Sequence, residues 1–276
     1  MNPVHIIKKL VTAPSYFFGR FYTFRKTYSL YKSIVAPISR AAHSSDSLFD
    51  VNTVQIVNDL EQNAVGFGFN LPTHIVNKIS DFARNAPLVR WDGNTSDIFF
   101  YKDVIDGKVA TGKVALAEVQ NKEQLPELFQ IAQDPKLLET ARQYLGYQNL
   151  QTDIRLFWSF VANFTEAERL QMNQTVKYHF DVHSWNFCYL HIYLTDCTKE
   201  SGAHEMILGS HKDKPLNWLW GGANRDDEAI KTYYEANKIL TIEGKAGTGF
   251  LEDTSCYHRA IAPQKGERLL LQIRFF

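Results

Sequence analysis

Four side chains in the C-terminal half of this 276-residue sequence are of types that bind metals and oxyanions: His179, Asp181, His258 and Arg268. His179 and Asp181 flank Phe180, and in an extended chain side chains at i and i+2 leave the same face, so the two can grip one metal ion together. A third ligand from a distant strand would complete a set of two imidazoles and one carboxylate. On one face of an octahedron that set suits non-haem Fe(II), because the opposite face stays open for a co-substrate and dioxygen. The chemistry implied is oxidative. His-x-Asp alone is a weak signal, and residues further along the chain give it weight. The segment 247–250 leads through Glu252-Asp253-Thr254 to His258, and Gly266-Glu267-Arg268 opens a final apolar strand. A ketoacid such as 2-oxoglutarate would chelate the metal through its carboxylate and keto oxygens, leaving a far carboxylate in need of a fixed cation. The guanidinium of Arg268 offers a bidentate fork where a lysine would offer a point charge.

The elements that must position these residues are short runs rich in Val, Ile, Phe, Tyr and Trp, beginning near Leu150: 152–162, 175–182, 187–194, 204–208, 239–243, 247–251 and 268–275. Their spacing is that of a β-sandwich or barrel. Helical signals gather in the first half. Val51, Val54, Ile56, Val57 and Leu60 recur at helical spacing, Pro72 opens a helix ending near Asn85, and Asp134-Pro135 caps one that stops at Gly146. The expected class is mainly β with flanking helices, α+β. An insertion at 212–238, with Trp218, Trp220 and a charged helical stretch, interrupts the strands.

Three segments, "HFDVHSW", "LTDCTKESGAHEMILGSH" and "FLEDTSCYHRAIAPQKGERLLLQIRF", resemble the phytanoyl-CoA dioxygenase-like iron(II)/2-oxoglutarate oxygenases over roughly residues 60–276. The resemblance implies a double-stranded β-helix of the jelly-roll or cupin type. It implies that His179, Asp181 and His258 are the iron ligands and that Arg268 anchors 2-oxoglutarate. The implied reaction is a dioxygenase hydroxylation of an unactivated C–H bond, with O2 consumed and 2-oxoglutarate decarboxylated to succinate. Because Asp181 fills the carboxylate position, halogenation is disfavoured. The sequence departs from the commonest pattern at His204, where an aliphatic residue is usual, and in the long insertion. Both bear on the substrate.

Other side chains have a functional reading beside a plain structural one. His191, on the alternating run "YLHIYLTD", and Lys177, two before His179, are candidate co-substrate contacts. Trp185, His183 and Trp218 are candidate substrate contacts. His204 and His211 would close positions that dioxygen needs, so neither is expected to bind the metal. Cys256 beside His258 lacks an activated-thiol signature. Arg259 and Arg274 are possible substitutes for Arg268; Arg274 shares a strand face with it.

Charge is balanced, with 30 basic and 30 acidic residues, but residues 1–45 hold seven basic residues and no acidic one. They are interleaved with Tyr16, Phe17, Phe18, Phe21, Tyr22, Phe24, Tyr28 and Tyr31. Residues 1–45 are therefore read as an appendage to a domain spanning 46–276. Contact of residues 1–40 with an anionic membrane surface is one expectation, and docking on the barrel is the other. Nucleic acid is not an expected partner, since the remaining chain is acidic and repels phosphate. Three cysteines without a CxxC pair fit a reducing compartment. No long apolar run or secretory signal is present. The expected location is cytoplasmic, either free or peripheral on the inner face of a membrane, with a small or lipid-linked substrate. Two alternatives stay open: a cupin-type metal-dependent hydrolase or isomerase, and a catalytically silent binding barrel.

Overall fold

The computed structural model describes residues 12–37, 46–91, 97–172 and 176–276. Two helices, α1 (Pro14–Phe18) and α2 (Tyr22–Val35), come first, followed by α3 (Thr53–Asn63), β1 (Val65–Phe67) and α4 (Thr73–Asn85). Strands β2 (Pro87–Arg90), β3 (Ile98–Phe100), β4 (Lys108–Val109), β5 (Gly112–Lys113) and β6 (Leu116–Val119) lead to α5 (Pro126–Ala132) and α6 (Pro135–Leu145). The remainder is β7 (Thr152–Ser159), α7 (Glu166–Gln171), β8 (Cys188–Tyr193), β9 (His204–Ile207), α8 (Leu216–Leu219), α9 (Asp227–Tyr233), β10 (Ile239–Ile242), β11 (Gly249–Glu252), β12 (His258–Ala260) and β13 (Arg268–Phe275).

An eight-stranded antiparallel sheet, in the order β1-β11-β8-β13-β7-β6-β2-β3, accompanies a three-stranded sheet, β10-β9-β12. Chain alternation decides what each face of the large sheet does. On β13, Leu269, Leu271, Ile273 and Phe275 point into the main apolar core, where Leu60, Ile79, Leu128 and Leu145 of the helices cover them. The other face presents Arg268, Leu270, Gln272 and Arg274 to a cavity. The register stacks that face in rungs: Arg268 beside Ser159, Leu270 between Phe157 and Tyr193, Gln272 between Arg155 and His191, and Arg274 between Asp153 and Tyr189.

The helices follow their signals. Asn52 caps α3 by accepting from the Gln55 amide, and Asp134 caps α6 by accepting from Lys136 and Leu137. Gly146 ends α6 at φ 83°, a conformation costly for any residue with a Cβ. Two expectations need correction. Over its described part, 176–182, the run expected at 175–182 is not a strand, for it makes only isolated bridges, Tyr178 to Arg225 and His179 to His258, before turning away. The first half is also less helical than expected, because β2, β3 and β6 extend the large sheet beyond β7.

The basic, aromatic N-terminal segment lies against the domain over its described part. Arg25 is buried and donates to Asp253 (2.9 Å), to Asn186 Oδ1 (3.0 and 2.7 Å), to the Phe187 carbonyl (3.1 Å) and to Ser255 Oγ. Arg20, also buried, donates to the carbonyls of Leu219 and Gly221. Lys8, Lys9, Arg40 and His43 lie outside the described residues. No helix among the described residues is long and apolar enough to cross a membrane.

Candidate metal centre

His179 and Asp181 sit on a stretch tied by three backbone bonds to β12 and the turn that precedes it. His179 and His258 exchange both amide-to-carbonyl bonds, at 2.9 and 2.8 Å, and the Asp181 amide donates to the Thr254 carbonyl at 2.8 Å. The i, i+2 geometry survives without a regular strand. Phe180 turns the opposite way and packs edge-on against Tyr257. Asp181 Oδ1 lies 3.8 Å from His179 Nε2, and its Oδ2 lies 3.8 Å from His258 Nε2. One ligand atom from each residue falls within 4.8 Å of the other two.

The two histidines are oriented alike. Each Nδ1 faces a backbone carbonyl at 3.1 Å, that of Lys177 for His179 and that of Cys256 for His258. A proton on each Nδ1 would satisfy those carbonyls and leave both Nε2 lone pairs aimed at the same point. Burial, with His258 nearby, lowers His179 to a pKa of about 4, so its ring is neutral and able to ligate at ordinary pH. These residues fit a divalent cation that takes two imidazoles and a carboxylate.

The same cavity, of about 260 Å³, is lined by the triad, by His191, His204 and Arg268, and by Phe157 and Leu270 among others. Arg268 is buried and donates to the Gly202 carbonyl and, at 3.1 Å, to Ser159 Oγ, while its Nε has no partner among the described residues. A buried guanidinium N–H without an acceptor costs free energy unless an anion meets it. Gly202 is glycine for a reason: it holds φ 95°, and a Cβ there would lie 2.9 Å from the Ile261 carbonyl oxygen.

Beneath the histidines lies Glu252, fully buried and not anticipated from sequence. Its Oε2 is 2.9 Å from His204 Nε2 and 3.4 Å from His191 Nε2, and its Oε1 accepts from the Cys256 thiol at 3.2 Å. Burial would raise the Glu252 carboxyl, but the surrounding imidazoles outweigh it and hold the group below the ordinary carboxylate range. Burial, reinforced by Glu252, pushes the Cys256 thiol well up, so it stays protonated and is no nucleophile.

The structure also separates the other candidates. His191 lines the cavity with its ring stacked on Phe250, 5.1 Å between centroids. Lys177 is displaced from the expected co-substrate position, for its ammonium pairs with Asp226 (2.8 Å) and Glu166 (3.1 Å) on the outer surface. Trp185 is stacked between Phe18 and Tyr28 of the N-terminal helices, away from the cavity. His183 packs on Phe276 and Tyr189, and Trp218 packs on Tyr233 and Tyr257 beneath the Arg225 guanidinium. None of these four lines the metal-site cavity. Arg259 pairs with Glu205 and Asp227, whereas Arg274 does reach the cavity. Gln272, on the strand face shared with Arg268, lines it as well, and so do Arg155 and Trp91, which were missed. The alternation of Asp153 and Arg155 with Ile154 and Leu156 was the available signal for a polar inner face.

The family model for phytanoyl-CoA dioxygenase (PhyH) matches residues 78–264, more than half the chain. The chain belongs to the phytanoyl-CoA dioxygenase family. It is a 2-oxoglutarate-dependent oxygenase-type enzyme. Among solved structures, the iron-bound EctD from S. alaskensis is 15% identical with a TM-score of 0.56, the match covering 87% of this chain and 81% of that one. The non-heme alpha-ketoglutarate-dependent epimerase SnoN from nogalamycin biosynthesis is 14% identical, TM-score 0.55, over 81% of this chain and 82% of that one. EvdO2 from Micromonospora carbonacea var. aurantiaca, complexed with 2-oxoglutarate, is 12% identical, TM-score 0.54, over 83% and 93%. At these identities the likeness is one of fold, and the fold is the double-stranded β-helix. No curated protein sequence matches the chain.

Proposed function

We propose that this member of the family binds Fe(II) through His179, Asp181 and His258 and 2-oxoglutarate through Arg268, and hydroxylates an unactivated C–H bond of a small molecule. The observation that carries the reading is the pairing, in one cavity, of a convergent two-histidine, one-carboxylate set with a buried arginine whose Nε is unsatisfied. When bound, Fe(II), 2-oxoglutarate and O2 together supply the oxidising chemistry, with succinate and CO2 released.

The chain's own residues bind, orient and exclude. The Lys177 and Cys256 carbonyls hold both imidazoles in the Nδ1–H tautomer. The Gly202 carbonyl and Ser159 hydroxyl fix the Arg268 fork at the cavity wall, with its Nε–H unpaired among the described residues. Phe157, Leu116 and Leu270 line the cavity with apolar surface that keeps water from the reacting carbon. Asp181 fills the carboxylate position, which supports hydroxylation over halogenation. A hydrolase has no use for a ketoacid anchor, so Arg268 weighs against a water-activating cupin. An epimerase in the neighbourhood supports one second reading, in which the same hydrogen abstraction ends in inversion. Product mass separates them, since hydroxylation adds one oxygen and epimerisation none.

The test is anaerobic absorption of the protein with Fe(II), with and without 2-oxoglutarate, repeated on His179→Ala and Arg268→Ala. A visible metal-to-ketoacid band in the wild type, lost in the first variant and needing more ketoacid in the second, is expected. A folded, iron-loaded protein without the band overturns the reading.

Substrate delivery from an anionic lipid surface is the finer part of this proposal. Phe24, Leu30, Tyr31, Ile34 and Val35 of α2 are exposed, and the exposed positions on that helix carry no charge. Lys32 lies half-buried beside them in a segment free of acidic residues, while Lys26 pairs with Glu61. Sedimentation with phosphatidylglycerol vesicles, weakened in Phe24→Ser/Ile34→Ser, is expected; equal recovery with neutral phosphatidylcholine vesicles would refute it.

A further inference from the structure

The inner face of the large sheet carries a second cationic station besides Arg268. Arg155 on β7 and Arg274 on β13 line the same cavity as the triad, and both lean on one carboxylate. Arg155 Nε lies 3.2 Å and Arg274 Nη1 3.4 Å from the same Asp153 Oδ2. Among the described residues Asp153 is the only acidic side chain that either guanidinium pairs with, so within those residues the two leave one positive charge uncompensated.

Both side chains are held in place from the other side. The Arg155 guanidinium lies 5.0 Å from the centroid of the Trp91 ring, and that of Arg274 lies 5.1 Å from the centroid of Tyr189. Arg274 Nε donates to Gln272 Oε1 at 2.9 Å. Stacked and hydrogen-bonded guanidiniums of this kind are pre-organised, so little conformational freedom remains to be lost on binding an oxyanion. The rungs also keep the stations apart. Arg268 and Arg274 are six residues apart on one strand, about 20 Å at roughly 3.3 Å per residue. One dicarboxylate of five carbons cannot use both.

Space follows charge. An outer cavity of about 680 Å³, lined by Pro87, Val89, Arg90, Trp91, Asp153 and Arg155 among others, shares Trp91 and Arg155 with the inner one. We infer that Arg155 and Arg274 together form the substrate's own anion station, and that the substrate is an organic acid whose single carboxylate seats between them while its body reaches the metal. The lone uncompensated charge matches a carboxylate and not a phosphate dianion. This assignment deepens the oxygenase reading and rests on it for the reaction, but the binding it describes is measurable without turnover.

The experiment is ligand-observed NMR on the full chain with Zn(II) and 2-oxoglutarate, using hexanoate, cyclohexanecarboxylate, their amides and hexyl phosphate as probes. The acids are expected to bind while the amides do not, and Arg155→Gln or Arg274→Gln should weaken them by about ten- to hundredfold, the value of hydrogen bonds to a charged group. Asp153→Asn, half-exposed and tolerant of change, should tighten them, which keeps the test decisive if an arginine variant fails to fold. Acids and amides binding alike, tighter binding of the phosphate ester, or acids displaced by 2-oxoglutarate and lost only in Arg268→Gln, each overturn the assignment. If the charge-transfer band is absent yet the acids bind through Arg155 and Arg274, the oxygenase reading fails and the anion station stands.

Discussion

Replacing Arg25 by methionine keeps the length of the side chain and removes its charge, and the consequences should reach the metal centre from a helix outside the β-domain. Arg25 and Asp253 are both buried, at 2.9 Å, and the guanidinium also satisfies Asn186, Ser255 and the Phe187 carbonyl while lying 4.7 Å from the Phe187 ring centroid. Removing one partner of such a pair leaves a buried carboxylate held by Tyr144 and the Ser255 amide alone, and costs about 3–5 kcal/mol. At about 2–4 °C per kcal/mol for a domain near this size, the melting temperature should fall by roughly 6–20 °C. The loop that follows Asp253 supplies the Thr254 carbonyl that fixes the Asp181 amide, and then His258 itself. Metal affinity should therefore fall by about tenfold, as when an outer support of a ligand is lost. Thermal unfolding of metal-free protein and Co(II) titration read the two effects separately. The double variant Arg25→Met/Asp253→Asn should recover much of the loss, because the stranded charge is gone. A shift of under about 2 °C in Arg25→Met would show that the N-terminal helices do not brace the site.

Other expectations rest on the same groups. Burial would raise the Asp253 carboxyl, but Arg25 outweighs burial and holds it well below the ordinary range. A depressed carboxylate stabilises the fold above its unfolded pKa of about 4 and loses that contribution as pH falls through the folded value, so the gap between wild type and Arg25→Met should narrow from pH 7 toward acid. An equal gap at both ends, in melting temperatures measured across that range, would contradict this. His204→Leu leaves the buried Glu252 carboxylate with only His191 and the Cys256 thiol and should cost about 3–5 kcal/mol in urea unfolding, whereas His204→Leu/Glu252→Leu should return to near wild type. Gly202→Ala forces a Cβ into a φ of 95° against the Ile261 carbonyl and moves the oxygen that holds Arg268. It should cost about 1–2 kcal/mol and raise the 2-oxoglutarate concentration needed for the spectroscopic band.

What could be read in advance was whatever depends on local periodicity or on residue type at fixed spacing. The α3, α4 and α6 helices announced themselves through caps and spacing, and β13 through its alternation. The convergence of His179 and Asp181 was legible because an i, i+2 pair needs only an extended backbone, and it holds even where residues 176–182 form no strand. Lys177, Trp185 and Trp218 were misplaced because their surroundings come from distant parts of the chain: Asp226 and Glu166 draw the lysine outward, and Phe18 and Tyr28 cover Trp185. Charge in the N-terminal segment was likewise ambiguous, since composition cannot say that Arg20 and Arg25 face inward.

The departure at His204 shows how much a pairwise context decides. Alone, a histidine where an aliphatic residue is usual reads as a change of pocket polarity. In the structure it lies 2.9 Å from Glu252, the one polar side chain of β11, so the two polar residues face each other across β9 and β11. Each would be costly without the other, because the core offers a buried charge no water. Their joint presence places a fixed negative charge behind His258, whose Nδ1 lies 3.9 Å from Glu252 Oε1. A carboxylate behind a metal-binding imidazole makes that imidazole a better donor. The unusual residue in the motif is thus better understood as one half of a support for the metal centre than as a contact for the substrate, and the substrate's own recognition is left to the face that carries Arg155 and Arg274.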